Sequence, residues 1–171
     1  MKLIIVRHGD AQNSITDEDR ALTEEGRRDI LLMSWLIRAT KWKFSKILCS
    51  PLLRTRQTAE IIAENIPGEL TYQVEDSLKC GFSPRQALKL LEQSSKERLL
   101  KNTQSEAEIW VFHAPDVAHV ASCLTGLNEN SFYFPPGSVL ALNLPPMEPE
   151  GRSLLIWKLQ PEFIRTLFSD V

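Results

Sequence analysis

The chain alternates between short apolar runs that stop abruptly and longer segments with helical apolar spacing. Lys2 to Val6 is a continuous apolar run rich in β-branched residues, the pattern of a strand buried on both faces. A polar loop follows, Gly9 to Arg20, with Asp10, Asn13, Asp17, Glu18 and Asp19. Thr23 then suits a helix N-cap and Glu24 and Glu25 suit a first turn, ahead of an apolar face carrying Ile30, Met33 and Ile37. Lys46–Cys49 predicts a second strand, and Ser50-Pro51 predicts the cap and first position of a helix that Pro67-Gly68 ends. Leu70–Val74 predicts a third strand. Ser83-Pro84 opens a helix through Ala87, Leu88 and Leu91. Glu108–Phe112 predicts a fourth strand, followed by a helix from Asp116 to Leu124 closed by Gly126. Val139–Leu144 and Leu154–Leu159 predict two last strands joined by a turn at Pro145–Gly151.

Strands alternating with helices imply βαβ units. The expected fold is therefore α/β: a three-layer α/β/α sandwich whose central sheet is mostly parallel with an antiparallel edge strand. Neither a linker nor an internal repeat divides the 171 residues, so one domain over 1–171 is expected. A net charge of -2, from 20 Lys plus Arg against 22 Asp plus Glu, gives no reason to expect a nucleic-acid binder. With no run of about 18 apolar residues, no membrane span is expected. Three widely spaced cysteines, Cys49, Cys80 and Cys123, suggest neither a disulfide framework nor a zinc site. A cytoplasmic protein without cofactor or metal is the resulting expectation.

The chemistry gathers at strand ends, where ligands bind in open α/β sheets. Arg7, His8 and Gly9 follow the first strand. A guanidinium offers a fork of donors for phosphate, an imidazole can act as nucleophile, and a glycine lets an anion or a backbone approach closely. Arg54 lies in the first turns of the helix after the second strand, and His113 ends the fourth. Each feature alone is a weak signal; three strand ends delivering His, Arg and His to one crevice is a stronger one. Arg56 should face solvent, and His119, inside a helix, is expected to be a packing or surface residue. Cys49 precedes Arg54, but the spacer Ser50-Pro51-Leu52-Leu53 is one residue shorter than the phosphate loop of cysteine-based phosphatases.

Taken together, Val6-Arg7-His8-Gly9, Arg20-Ala21-Leu22-Thr23-Glu24-Glu25-Gly26, Ser50 through Ala59 and His113-Ala114-Pro115 resemble the histidine phosphatase superfamily, which has the phosphoglycerate mutase-like fold. Within it, Val6-Arg7-His8-Gly9-Asp10-Ala11 and Leu78-Lys79-Cys80-Gly81 are similar to the small SixA-type phosphohistidine phosphatases. The resemblance implies a nucleophilic His8, phosphate clamps at Arg7 and Arg54, His113 as a second pocket histidine, and Arg20 at the mouth or on the phosphate. It further implies a phosphorylated protein substrate, such as a histidine phosphotransfer domain or a phosphocarrier. The alternatives are a small-molecule phosphomonoesterase of the same superfamily and a non-catalytic phosphohistidine-binding module. Phe112 and Ala114 depart from the motif of many relatives, and the loop after the third strand offers no acid in the place where larger relatives carry a catalytic Glu. Asp10, Asp17, Glu75 and Asp76 are the candidate general acids. A bare core of this length, without long insertions, implies an open pocket; a monomer is compatible with it.

Overall fold

A computed structural model of the chain describes residues 1–101, 106–146 and 148–168. Six strands, β1 (Lys2–Arg7), β2 (Phe44–Cys49), β3 (Tyr72–Val74), β4 (Ala107–Phe112), β5 (Val139–Asn143) and β6 (Leu154–Leu159), form one sheet in the order β3-β2-β4-β1-β5-β6. β1, β2, β3 and β4 are mutually parallel. β5 runs antiparallel to both β1 and β6. The strand that opposes the rest therefore lies one place in from the edge, and β6 is the edge itself. The expected turn at Pro145–Gly151 includes Met147, which lies outside the described residues.

Side-chain alternation along the strands divides the core into two faces. Leu3, Ile5, Trp110, Phe112, Leu140 and Leu142 pack with Phe82, Leu91, Val120 and Leu124 on one side. Those partners come from the loop before α3 (Pro84–Lys101), from α3 itself and from α4 (Asp116–Thr125). Ile4, Val6, Ile109, Val111, Val139 and Ala141 pack on the other side with Ile30, Met33, Ile62 and Ile164. These belong to α1 (Glu24–Ala39), α2 (Leu53–Asn65) and α5 (Pro161–Phe168). Both faces of the inner strands are covered, which is why those strands read as unbroken apolar runs.

Local signals set most boundaries. The Thr23 side chain accepts from Gly26 N–H as the cap of α1, and Gly126, at φ 74°, ends α4 in the left-handed region. Ser83 and Gln86 exchange hydrogen bonds at the start of α3. α2 begins later than its sequence suggests. Its cap position is Leu52, without a side-chain cap bond, while Ser50 lies outside the helix and is fully buried. α5 carries no capping signal that the sequence reading used. It is held by Ile164 in the core and by Arg165 on Asp29 and Glu25 of α1. α3 runs ten residues past Leu91 because Ser94, Ser95 and Arg98 continue it with polar side chains.

The glycine after β1 serves packing. A Cβ on Gly9 would lie 2.8 Å from the Gly26 carbonyl oxygen, and one on Gly26 would lie 2.2 Å from that of Asp10. These two glycines let the loop that leaves β1 lie directly on the first turn of α1, which fixes His8 at the sheet's carboxyl edge.

Candidate active site

Adjacent strand ends bring the predicted residues together. β1 delivers Arg7 and His8, β4 beside it delivers His113, and Arg54 rises from α2 behind β2. The two imidazole centroids are 5.3 Å apart. His8 is 7% exposed, Arg54 3% and His113 2%. Such burial of polar groups requires partners, and most of the site's polar atoms find one within the protein.

His8 Nδ1 lies 2.7 Å from the Gly9 carbonyl oxygen, and Arg54 Nε–H donates to His8 Nε2 at 3.2 Å. The only tautomer that satisfies both contacts carries its proton on Nδ1 and a lone pair on Nε2. The backbone holds the residue from both sides, since His8 N–H donates to Phe112 O and the His8 carbonyl accepts from Gly137 N–H. Burial, with Arg54, Arg7 and Arg20 nearby, pushes the His8 pKa down to about 4, against the raising effect of the Gly9 bond. Its ring is therefore neutral at pH 7.

His113 Nε2 sits 2.8 Å from Ser50 Oγ, while its buried Nδ1 has no partner among the described residues. Burial first, then the proximity of His8 and Arg54, lower its pKa to about 3. Arg7 Nη1 donates to the Phe134 carbonyl at 2.6 Å, and its buried Nε likewise has no partner among the described residues. Burial lowers the Arg7 pKa from the usual arginine value. Two donor-capable nitrogens, Arg7 Nε and His113 Nδ1, thus stand unsatisfied around a neutral imidazole lone pair. A tetrahedral oxyanion would supply the acceptors that they lack.

Two expected ligands are engaged elsewhere. Gly9 N–H donates to Thr58 Oγ1 at 3.2 Å, so its amide already has a partner, and its lack of a Cβ serves the contact with α1 rather than an anion. Arg20 donates to the carbonyls of Gln12 and Ala11 and to Asp17 Oδ1, so it braces the loop after β1. That loop reaches the pocket through Asp17: Arg54 Nη1 donates to its carbonyl at 2.7 Å and Nη2 to Oδ2 at 2.9 Å.

The other candidate acids are engaged with other groups. Asp10 Oδ2 accepts from Thr23 Oγ1, Glu75 Oε1 accepts from Ser77 N–H, and Asp76 pairs with Lys79 at the surface. Asp17 reaches the pocket, but its bond to Arg54 lowers its pKa, so at neutral pH it holds no proton to give. Arg56 is exposed, and His119 is a surface residue 3.4 Å from Glu129. Cys49 is fully buried and its thiol is pushed up to about 12 by burial, which removes it as a nucleophile. Ser50 is the residue that the strand-end reading missed. It follows β2 just as His8 follows β1, but its capping pattern hid its bond to His113.

Residues 3–81 match the histidine phosphatase superfamily (branch 1), a span that includes Arg7, His8, Ser50 and Arg54 and stops short of His113. Phosphohistidine phosphatase SixA of Escherichia coli K12 is 36% identical over 70 residues, covering 39% of this chain and 44% of that protein. An uncharacterized protein of a Picosynechococcus strain is 42% identical over 66 residues, 37% of this chain and 40% of the other. The alignments thus span about two fifths of the curated relatives' length. In fold, the chain is similar to the protein histidine phosphatase SixA complexed with tungstate, with TM-score 0.75, 24% identity and coverage of 96% of this chain and 99% of that one. It is also similar to a mycobacterial glucosyl-3-phosphoglycerate phosphatase, with TM-score 0.70, 15% identity and coverage of 91% and 96%.

Proposed function

We propose that this chain, whose residues 3–81 match the histidine phosphatase superfamily and which shares the SixA fold across nearly its whole length, is a phosphatase that works through a phosphohistidine on His8. We further propose that its substrate is the phosphohistidine of a signalling or phosphocarrier protein. The observation that carries the reading is the fixed His8 tautomer. With Nδ1–H committed to the Gly9 carbonyl, the Nε2 lone pair is left facing Arg54 in a buried, cationic pocket.

Phosphoryl transfer depends mainly on positioning and charge neutralisation. Arg7 and Arg54 supply the positive charge and His113 Nδ1 a further contact for a phosphoryl oxygen. His8 Nε2 attacks phosphorus and an N–P bond forms, while the bond from phosphorus to the substrate nitrogen breaks and its electron pair stays on that nitrogen. Water then attacks phosphorus and the His8–phosphorus bond breaks with its pair returning to Nε2. One water proton remains on the phosphate and the other passes to solvent or to a phosphate oxygen. The arginines do the work of charge neutralisation, so no metal is required for this route.

Pocket chemistry favours a particular leaving group. A sugar or glycerate alkoxide needs a proton. Asp10, Glu75 and Asp76 are each engaged with another group, and Asp17 sits in the pocket as a carboxylate on Arg54. A phosphorylated imidazole can already carry the proton on its other nitrogen, because imidazole titrates around 6.5. Two large exposed side chains are in keeping with a protein substrate. Ile15, two residues from Asp17, is fully exposed, and Tyr133, next to the carbonyl that holds Arg7, is 73% exposed. E. coli SixA is named as a phosphohistidine phosphatase, in keeping with this substrate.

The test is a dephosphorylation panel of phosphohistidine proteins, sugar phosphates and an aryl phosphate, run with and without a chelator. Faster turnover of the phosphohistidine protein, resistant to chelator and lost in His8→Ala, is expected. Faster turnover of a sugar phosphate would favour the small-molecule phosphomonoesterase reading instead. Binding without turnover would make the chain a phosphohistidine-binding module.

A further inference from the structure

Each edge of the Arg54 guanidinium is engaged within the protein. Nε donates to His8 Nε2, Nη1 to the Asp17 carbonyl and Nη2 to Asp17 Oδ2. Arg7 is held differently, by the neutral carbonyl of Phe134. One of the two clamps therefore carries an anion of the protein's own.

That anion is held in place. The Glu18 carbonyl accepts from Leu53 N–H at the start of α2, and Thr16 Oγ1 donates to Asp19 Oδ2 within the loop. Arg20 donates to Asp17 Oδ1 while also holding the carbonyls of Gln12 and Ala11. The two carboxylate oxygens of Asp17 are thus divided, Oδ1 to Arg20 and Oδ2 to Arg54. The Asp17 side chain is 54% exposed and that of Arg54 only 4%. The carboxylate can swing into solvent; the guanidinium cannot.

We propose that Asp17 is a built-in competitor for the phosphoryl group: a carboxylate that occupies Arg54 in the free protein, yields to the substrate's oxygens and returns to help expel phosphate. This rests on the reading of the pocket as a phosphoryl site. Two guanidiniums, Arg54 nearly dry and Arg7 partly buried, without a counter-charge would bind the product dianion tightly and slow its departure. A tethered carboxylate competes at the high effective concentration of an intramolecular group, so it weakens the binding of every phosphate while leaving the arginines ready for the transition state. Asp17 is then a residue that tunes affinity rather than a proton donor, and the loop after β1 is part of the phosphate-binding machinery.

The test measures binding of inorganic phosphate and of tungstate by calorimetry to the wild type, Asp17→Asn and Asp17→Ala, with product inhibition followed on an aryl phosphate. Asparagine keeps an acceptor for Arg54 and removes the charge. Asp17→Asn is expected to bind both anions about twofold to fivefold tighter, the range for a half-exposed ion pair, with the inhibition constant for phosphate falling by the same factor. Asp17→Ala should move in the same direction by less, since Arg54 also loses the side chain that orients it. A residue that only braced Arg54 would give the opposite sign. Unchanged or weaker anion binding by Asp17→Asn overturns the proposal and leaves the pocket reading standing. Failure of all three folded proteins to bind either anion overturns the pocket reading, and this inference with it.

Discussion

Two buried polar clusters lie at opposite ends of β4, and they are built on opposite terms. At the amino end, Glu108 is fully buried, and both its oxygens are satisfied. Oε1 accepts from Arg98 at 2.6 Å with Lys46 3.9 Å away, and Oε2 accepts from Ser94 Oγ and Trp110 Nε1. At the carboxyl end, Arg7, His8, Arg54 and His113 are packed as closely, yet Arg7 Nε and His113 Nδ1 remain without partners among the described residues. Charge is balanced in the first cluster, Arg98 and Lys46 against Glu108 and Glu97, whereas the second holds two guanidiniums against the half-exposed carboxylate of Asp17. Burial of charge alone therefore does not mark a functional site in this molecule. Incomplete satisfaction is what sets the proposed site apart, because a closed network has nothing left to offer a ligand.

The largest effects should separate the two ends. His8→Ala is expected to lower aryl phosphate turnover by more than about a thousandfold while leaving the thermal unfolding midpoint near that of the wild type, since loss of a nucleophile removes the covalent route. Equal loss of stability and activity would mean that His8 is a packing residue. Arg98→Ala should do the reverse. It strands a buried carboxylate and is expected to cost about 3–5 kcal/mol in denaturant unfolding, with kcat per folded molecule unchanged. Adding Glu108→Gln should recover part of that loss. If Arg98→Ala changed phosphate affinity instead, the separation of the two clusters would fail.

Acid should act selectively on the carboxyl end. The folded-state pKa values of His8 and His113 lie at about 4 and about 3, below the ordinary histidine value. The unfolded chain therefore takes up protons first as pH falls, and stability from these groups, complete above about 6.5, is lost down towards the folded values. A loss of the order of 2–3 kcal/mol for each histidine between about pH 6.5 and 4 is expected from chemical denaturation. Replacing both histidines with asparagine should flatten that part of the curve. NMR titration should find the His8 ring still neutral at about pH 5. A His8 midpoint at the ordinary value would show that the pocket does not hold the ring neutral.

The contrast between the clusters also explains what could be read in the sequence. The strands that build the site were legible because packing on both faces of the sheet leaves unbroken apolar runs, as in Leu3–Val6 and Ile109–Phe112, that end where Arg7 and His113 begin. Partners were not, because they are far apart in sequence. Asp17 reaches Arg54 across 37 positions, Ser50 reaches His113 across 63, and the Phe134 carbonyl reaches Arg7 across 127. No local pattern encodes such pairs. The end of α3 was hidden for a related reason: Ser94 and Arg98 face Glu108, so inward positions there carry polar residues and the helical apolar spacing lapses. Ser50 was legible as a type and misread in role, since a serine before a proline and a helix satisfies the capping pattern whether or not its hydroxyl turns to the helix.

Ser50 gives the smallest effect and the finest cut between the two ends. Among the described residues, its hydroxyl is the one hydrogen-bond partner of the His113 ring, whose other nitrogen is left for a ligand. Ser50→Ala removes a single neutral hydrogen bond, worth about 0.5–1.5 kcal/mol, so turnover should fall by no more than about tenfold. Because the bond orients the imidazole rather than touching substrate, kcat should fall more than KM rises, and Ser50→Thr should restore part of the loss if its hydroxyl can reach the same nitrogen. Ser94→Ala removes a charge-assisted bond to Glu108 and should lower stability by about 1.5–3 kcal/mol without changing kcat. A like response of the two serines would mean that satisfaction, not position at the strand ends, governs both clusters.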